Sequence, residues 1–501
     1  MPGGPVAAGD GFSGPGNRFL AYSLAGFAGF GGILFGYDTG VINGIQTMDA
    51  FLETFGTLEH GKMVLTTSNQ SLVVSILSAG TFFGALLAGP CADRLGRRWG
   101  IVASSVLFML GVGLQLVTHW GVFVTGRVIC GLGVGLISCL APMYQGETCP
   151  KAIRGFVIGL YQWCITFGIL LAAIINNFMA QRKGDSGWKI VIALQFIWAS
   201  ILIGGMCYLP ETPRHLSLKG RDEAAKNSLS RLTGLHGDDL EAEYAIMLEG
   251  LQGEAALGAS SYKELFSRGP DRMWLRTFTG IGIQAFQQLT GINFIFYYGT
   301  TFFKQSGIQD PFIISIVTNV VNVVSTIPGI LVIDRVGRRK MLLTGAIAMC
   351  ICEYIVAAVG MTVCAEVFPS RLRAKGMSLS IASNWLWNFG IGYATPYLVN
   401  KSTPEVKTAG LGVKVFLIWG TTCMGCVLFT YLCVAETKGL SLEQVDELYR
   451  NSSIVRSNQY RKVILAQSGA HKAGDVESPA YVFGRDVKVG EEDMLEDVSK
   501  E

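Results

Sequence analysis

The chain has few charged residues for its size. Asp, Glu, Lys and Arg make up 15% of the 501 residues, whereas soluble globular proteins carry about 25%. So few charges cannot cover a water-facing surface, which excludes an ordinary cytosolic enzyme. Half of the residues are hydrophobic, which excludes a disordered or fibrous chain.

Signatures of catalysis, metal binding and nucleic-acid binding are also missing. The five histidines stand outside the H-E-x-x-H pattern, and the chain has no G-x-S-x-G or P-loop spacing. The 12 cysteines lie in or beside apolar segments, where thiols act as small hydrophobes. Cys423 and Cys426 lack a second pair or a nearby His, so core packing is favoured over zinc. We therefore predict no enzyme activity, metal or cofactor. We also predict no nucleic-acid partner, because the basic residues lie in short loops.

Apolar segments dominate the chain instead. Crossing a hydrocarbon core about 30 Å thick takes about 20 apolar residues, and eleven segments approach that length. They lie near 20–42, 70–90, 99–118, 121–142, 157–177, 188–208, 276–299, 311–333, 341–360, 377–399 and 412–434. The pattern predicts an all-α, multi-pass membrane protein. Basic residues between the segments place both termini in the cytoplasm by the positive-inside rule.

The segments also divide the chain into units. We expect an N-terminal tail, a first helix bundle, a cytoplasmic linker with short amphipathic helices, a second bundle, and a cytoplasmic tail that is disordered after about residue 452. These units cover 1–18, 19–208, 209–275, 276–435 and 436–501.

Two motifs occur once in each half. Asp93–Arg98 (DRLGRR) recurs as Asp334–Arg339 (DRVGRR), and a Glu-x-x-Pro-x-x-x-Arg pattern at 147–154 recurs at 366–373. Two matches in the same order point to the duplicated halves from which many transporters are built.

The second half is short between these markers. Asp93 and Asp334 are 241 residues apart but Glu147 and Glu366 only 219, a deficit of 22 residues, which is about one membrane span. A single span, 341–360, also separates two basic loops that both belong in the cytoplasm. A re-entrant segment or a divergent loop is one explanation. We favour the absence of one helix and its loop after Gly360.

Amide side chains lie at membrane depth, where polar groups are costly and normally face partners or a watery cavity. Amides both donate and accept hydrogen bonds, so they suit a neutral, polyhydroxylated ligand. Interhelical hydrogen bonds, each contributing about 0.6 kcal/mol, are the alternative. The number of amides favours a ligand site. They include Gln162, Gln284, Gln287, Gln288, Asn293, Asn322 and Asn384.

Two charges also fall inside spans. Asp38 ends the first segment and Arg127 begins the fourth. An ion pair would lower the cost of burying both. Small changes in their separation would switch the proton affinity of the carboxylate, which suits proton coupling. A static structural pair is an equal alternative.

Several motifs together resemble the sugar porter family of the major facilitator superfamily, from Phe19 to Tyr449. They are FGYDTGVING (35–44), DRLGRR, GRVICGLGVG (126–135), PMYQGETCPKAIRG (142–155), PETPR (210–214), QQLTGINFIFYYGTTFF (287–303), DRVGRR and ETKGLSLEQ (436–444). The seventh segment and Asn384–Asn388 look most like fungal hexose transporters.

The resemblance implies two six-helix bundles with a sugar held between them. The positions that match sugar contacts are Gln162, Gln287, Gln288, Asn293, Asn322 and Trp385, with Phe35 as a nearby aromatic residue. Asp38 and Arg127 match the pair used by proton symporters. A cytoplasmic charge network is implied for Asp93, Arg94, Arg97, Glu147, Arg154, Asp334, Arg335, Arg338, Glu366 and Arg373.

The chain departs from the family at one place. Members have a tenth helix with a Gly-Pro pair and a tryptophan over the sugar, whereas here Gly360 runs through three residues into Cys364. We therefore expect a plasma-membrane hexose transporter, for glucose, that works by alternating access with proton symport and lacks about one helix. A facilitated uniporter, a non-transporting sugar sensor and an inactive truncated isoform are the alternatives.

Overall fold

The computed structural model describes fifteen stretches of the chain. These are residues 27–59, 62–149, 154–182, 184–256, 262–269, 272–305, 309–336, 339–340, 342–344, 370–400, 407–411, 415–437, 440, 442–454 and 456–472. The expected gap after Gly360 lies outside these residues.

The first half is a helical bundle with one small hairpin. After a 3-10 turn at Ala28–Phe30, its helices are α1 Gly31–Ile45, α2 Asp49–Phe55, α3 Thr67–Leu95, α4 Arg97–Gln115, α5 Trp120–Thr148, α6 Arg154–Met179, α7 Ser186–Ala193 and α8 Gln195–Tyr208. Two short antiparallel strands, β1 Thr57–Glu59 and β2 Lys62–Val64, pair between α2 and α3.

The linker and second half are also helical. The linker forms α9 Pro213–Leu218, α10 Asp222–Thr233, α11 Asp238–Ala256 and a 3-10 turn at Tyr262–Phe266. The second half contains α12 Met273–Leu289, α13 Ile292–Gln305, α14 Pro311–Val336, α15 Ser370–Val399 and α16 Val415–Cys433, followed by α17 Leu442–Asn451 and α18 Ser457–Lys472.

Membrane-length helices follow the apolar segments. Among the described residues, six helices are long and apolar enough to cross a membrane, counting α7 and α8 as one span. The seventh segment, predicted as one block over 276–299, instead breaks between α12 and α13. Gly291 adopts φ +80° there, a left-handed conformation that glycine tolerates without steric cost. The break sets the amides at the end of α12 against the start of α13.

Glycines allow α3 and α5 to pack in backbone contact. A Cβ atom on Gly131 would lie 2.3 Å from the Leu77 carbonyl oxygen, and one on Gly135 would lie 2.3 Å from that of Thr81. Small residues allow such close approach in membrane helices. The glycine run in α5 is therefore a packing surface.

The halves meet most extensively along two helix pairs. α15 packs along α3, and α14 packs along α6. The main hydrophobic core is continuous across the halves, since it includes Leu77 and Ile165 from the first and Phe294 and Ile381 from the second.

The C-terminal segment differs from its prediction. We expected disorder from about residue 452, but Ser457–Lys472 forms α18. Ile464 is buried in a small hydrophobic cluster with Ile283 and Leu448, and the partly buried Tyr460 packs against this cluster. These apolar contacts are long-range, so the low local hydrophobicity of the segment did not reveal them.

Candidate functional site

An amide cluster connects the broken seventh segment to α15. Gln288 Nε2 donates to Asn384 Oδ1 at 2.9 Å. Its Oε1 accepts from Asn388 Nδ2 at 3.2 Å and from the amide of Asn293, across the α12–α13 break. Gln288 is 5% exposed, so both ends of its amide are hydrogen-bonded in a buried position.

Asn384 extends this cluster along α12. Its Nδ2 donates to Gln284 Oε1 at 2.7 Å and to Gln287 Oε1 at 3.1 Å. The structure therefore places the predicted residues Gln287, Gln288 and Asn293 in one hydrogen-bonded cluster. In this conformation these amides form hydrogen bonds with one another between helices, which is the alternative that the sequence left open.

The cluster reaches the first half through Asn388. Ser78 Oγ on α3 donates to Asn388 Oδ1 at 2.7 Å, and Tyr297 Oη donates to the same oxygen at 3.2 Å. Neither Ser78 nor Asn388 was among the predicted site residues. The Asn384–Asn388 pentad was the only sequence signal for Asn388, and a serine in an apolar helix gave none for Ser78.

An aromatic pair lies beside the amides. Trp385, which follows Asn384, is 3% exposed. Its ring meets Phe35 of α1 edge-on, with the centroids 5.0 Å apart, and its Nε1 lies 3.4 Å from Ser138 Oγ on α5. Both predicted aromatic residues thus meet at the boundary between the halves.

The remaining two predicted sugar contacts lie on the other helix pair. Gln162 is on α6 and Asn322 on α14, and both are buried. These helices pack together, so the two amides lie at the boundary between the halves, as the cluster does. The hydrogen bonds described for the cluster do not include them.

The predicted buried ion pair is present. Arg127 Nη1 donates to both carboxylate oxygens of Asp38, at 2.9 and 3.0 Å, and its Nε donates to the Val73 carbonyl at 3.2 Å. Gln195 Nε2 lies 3.4 Å from Asp38 Oδ1. The side chains are 0% and 1% exposed for Asp38 and Arg127, so each charge depends on the other for compensation.

Part of the predicted cytoplasmic network is visible in the first half. Arg97 pairs with Glu147, with Nη2 and Oε1 2.8 Å apart, while Asp93 and Arg94 are exposed. His215 Nδ1 lies 3.1 Å from Arg97 Nη1. The prediction missed His215, which lies just after the PETPR motif.

Glu211 of the same motif caps α4. Its carboxylate accepts the backbone N–H groups of Arg97 at 3.0 Å and Arg98 at 3.1 Å. These are among the N–H groups that a helix start leaves without an intrahelical partner. A carboxylate there also interacts favourably with the helix dipole.

The second half repeats this arrangement. Glu436 Oε2 accepts the backbone N–H of Arg339 at 3.2 Å, as Glu211 does for Arg98. Arg339 donates to the Tyr431 carbonyl near the end of α16, and Arg98 donates to the Met206 carbonyl near the end of α8. Because these contacts correspond across the duplicated motifs, the internal repeat is structural.

Other members of the predicted network cannot be placed. Positions 338 and 366 lie outside the described residues, and so do the side chains of Arg154, Asp334, Arg335 and Arg373.

Hydrogen bonds tie α3 to α15 at three levels. Ser378 Oγ donates to the Ala85 carbonyl at 2.7 Å, Ser78 bonds Asn388, and Asn400 Nδ2 lies 3.4 Å from Gln70 Oε1. The two halves are therefore closed against each other along the whole of this helix pair.

α13 also contacts α1 near the end of each helix. The backbone N–H of Thr300 donates to Asn43 Oδ1 at 3.1 Å, and Lys304 Nζ donates to the Thr47 carbonyl at 3.3 Å. The described contacts between the halves thus lie on both sides of the amide cluster.

Two apolar bundles closed around a shared cluster of amides define a multi-pass membrane protein of the transporter class. The family model described as "Sugar (and other) transporter" matches residues 24–365 and 354–449. The chain belongs to this family.

Curated relatives agree with this assignment. The chain is 44% identical to the "Major facilitator-type transporter ecdD" of Aspergillus rugulosus, over 91% of this chain and 93% of that protein. It is 41% identical to the "Probable glucose transporter rco-3" of Neurospora crassa, over 84% and 78%. It is also 39% identical to the "High glucose sensor RGT2" of Saccharomyces cerevisiae, over 87% and 62%.

Solved structures share the major facilitator fold. The proton:xylose symporter XylE bound to 6-bromo-6-deoxy-D-glucose matches with a TM-score of 0.73 and 27% identity, over 86% of this chain and 100% of that chain. The inward-open conformation of XylE from E. coli matches with a TM-score of 0.63 and 27% identity, over 85% and 99%. Of these two structures, the first has the higher TM-score.

Proposed function

We propose that this chain carries a hexose, glucose in the first place, across the plasma membrane by alternating access with a co-transported proton. The observation that carries the proposal is the buried amide cluster around Gln288, which Asn388 connects to Ser78 of the other half. The probable glucose transporter of Neurospora crassa, at 41% identity, supports a glucose substrate.

The chemistry of the cluster suits exchange with a sugar. In this conformation the amides of Gln288, Asn384 and Asn388 hydrogen-bond one another. A sugar hydroxyl both donates and accepts, so it can replace an amide partner without leaving a buried group unsatisfied. Trp385 and Phe35 would supply the apolar surface for the C–H faces of the ring.

Transport then requires the halves to separate on one side at a time. The Asn43–Thr300 contact would break on one side of the cluster, and the Ser378–Ala85 contact on the other. Sugar binding at the cluster favours the closed state between them, as in transporters with a site between two repeats.

Proton coupling would use Asp38. In the closed state Arg127 holds its carboxylate bidentately, which favours the charged form. Movement of α1 away from α5 would remove this partner and allow protonation. We expect Asp38→Asn to abolish uphill accumulation and to retain sugar exchange; a static structural pair or a uniporter would show no proton-driven accumulation in the wild type.

The sugar site is tested by Gln288→Ala in cells that lack hexose transport. We expect radiolabelled glucose uptake to fall to background, because three hydrogen-bond partners lose their common amide. Gln115→Ala is the matched control, since it removes an equally buried amide that contacts Cys130 within the first half. Surface expression is measured for both. Undiminished uptake in Gln288→Ala would refute the site.

A sensor function is the second candidate, favoured by the 39% identity to the high glucose sensor of Saccharomyces cerevisiae. A sensor would bind glucose without net flux and would signal through its cytoplasmic regions. Glucose-dependent thermal protection of the purified chain, together with no uptake into proteoliposomes, would favour it over transport.

We also propose that the chain lacks a helix and a loop after Gly360. The alignment with ecdD spans 509 positions but includes 91% of 501 residues, about 456, so about 50 positions have no residue from this chain. The family match also divides into two stretches that overlap at 354–365. An inactive truncated isoform is the corresponding alternative function.

Restoring the segment encoded in the genome next to Gly360 tests this proposal. We expect the restored chain to give higher glucose uptake at equal surface expression. A continuous genomic sequence with no additional coding segment there would contradict it.

Epitope tags at both ends, accessible to antibody only after permeabilisation of the plasma membrane, would support the proposed location and orientation.

A further inference from the structure

A cavity of about 410 Å³ lies beside the PETPR motif, between the start of α4 and the linker helices α9 and α10. It shares no lining residue with the amide cluster, and the proposed transport function does not use it. Four basic side chains and one carboxylate line it, and these are Arg98, Lys219, Arg221, Arg231 and Glu211.

The carboxylate of Glu211 is already occupied. It accepts the backbone N–H groups of Arg97, Arg98 and Thr212 at 3.0–3.2 Å and is 9% exposed. His215 also lines the cavity, and burial, together with the charge of Arg97, lowers its pKa to about 4. Among the charged groups that line the cavity at neutral pH, cations therefore outnumber anions.

Two of the arginines are held in place. Arg98 donates to the carbonyls of Met206 and Cys207 at 3.0 and 2.6 Å, and Arg231 donates to that of Tyr208 at 3.1 Å. These carbonyls lie at the C-terminal end of α8, where cations are stabilised by the helix dipole. The arginines are thus positioned before any ligand arrives.

The cavity opens where the helix bundle meets the membrane surface. Trp99 is 50% exposed and Tyr208 71% exposed at the ends of membrane-length helices, as expected for the aromatic belt at the bilayer interface. The Arg98 guanidinium lies 4.8 Å from the Trp99 ring centroid, and that of Arg231 lies 5.7 Å from the centroid of Tyr208. The basic groups therefore lie at headgroup depth.

We propose that this cavity binds the phosphorylated headgroup of an anionic phospholipid of the phosphoinositide type, from the leaflet on the side of the basic loops. Basic pockets beside membrane helices on that side recognise such headgroups. Phosphate oxygens form strong, charge-assisted bonds with arginine. Lys219 and Arg221 are exposed at the rim and close over the headgroup, while Arg98 and Arg231 form the fixed wall.

The purified full chain, reconstituted in phosphatidylcholine nanodiscs, tests this assignment. The nanodiscs receive either fluorescent phosphatidylinositol 4,5-bisphosphate or fluorescent phosphatidylserine, in amounts that carry equal lipid charge. The readout is the affinity for each fluorescent lipid. The test variant is Lys219→Gln/Arg221→Gln. The control, Lys340→Gln/Lys462→Gln, removes the same charge from exposed positions elsewhere.

We expect the test variant to weaken phosphoinositide binding about 20- to 30-fold, because each basic residue near the surface contributes about fivefold. The control should leave the affinity within about twofold of wild type. Equal losses in both variants, or equal affinity for phosphatidylserine, would reduce the effect to general surface charge and overturn the proposal. Equally tight binding of free inositol trisphosphate would overturn the lipid as the source and assign a soluble phosphorylated ligand. Because glucose uptake is not the readout, failure of this proposal is distinct from failure of the transport function.

Discussion

Removing one member of the Asp38–Arg127 pair should destabilise the first half more than removing both. The two side chains are almost fully buried, 0% and 1% exposed, so Asp38→Asn leaves an uncompensated guanidinium inside the bundle. Breaking a buried pair in this way costs about 3–5 kcal/mol, whereas replacing both charges by neutral groups is often close to neutral. Asp38→Asn and Arg127→Met should each be costly, and the double variant should recover most of the loss.

The magnitude can be converted to an unfolding temperature. The first half contains about 180 residues, for which 1 kcal/mol shifts the midpoint by about 2–4 °C. Each single variant should therefore unfold about 6–20 °C below wild type. Thermal unfolding of the purified chains is followed at one scan rate. The exposed Asp185–Lys189 pair, 48% and 32% exposed, provides the control, because Lys189→Gln should cost less than about 1 kcal/mol.

The double-mutant cycle decides the interpretation. Additive losses, with the double variant less stable than either single variant, would show that the two charges do not compensate each other. That result would refute the static pair and the proton-coupling proposal together, since both require Arg127 to stabilise the ionised Asp38.

Two further predictions concern the helix ends and the helix contacts. The pKa of His215 is 6.5 in the unfolded chain and about 4 in the folded chain. The unfolded chain therefore binds the proton first, so stability should fall as pH drops from 6.5 to 4. His215→Gln should flatten that part of the profile of unfolding temperature against pH, and an unchanged slope would contradict the assignment. Gly135→Ala should lower the yield of monodisperse protein on size-exclusion chromatography, because its Cβ would lie 2.3 Å from the Thr81 carbonyl oxygen. Gly204→Ala, whose Cβ meets nothing within 4 Å, should leave the yield unchanged, and equal yields for both variants would argue against backbone contact.

The amide cluster illustrates how far residue type alone can indicate a candidate site. Gln287, Gln288 and Asn293 were identifiable because a carboxamide within an apolar segment is costly unless it has a partner. The sequence also indicated that Asp38 and Arg127 would pair, since two opposite charges in spans have few other ways to be compensated.

The partners of these groups were not predictable in the same way. Ser78 contributes to the cluster through Asn388, 310 positions along the chain, and a serine occurs in many apolar helices without such a role. Glu211 caps α4 from a distant loop, and Glu436 accepts the Arg339 N–H from a residue 97 positions away. These roles depend on which backbone N–H groups the fold brings next to each carboxylate.

The sequence by itself determined the membrane class, the duplicated halves and most of the spans, because hydrophobicity over about 20 residues and motif repetition are local properties of the chain. The tertiary structure alone decided which amides bond one another, how the seventh segment breaks at Gly291, and that Ser457–Lys472 folds back as a helix. These outcomes depend on which helices become neighbours, and that choice is made by packing between residues hundreds of positions apart.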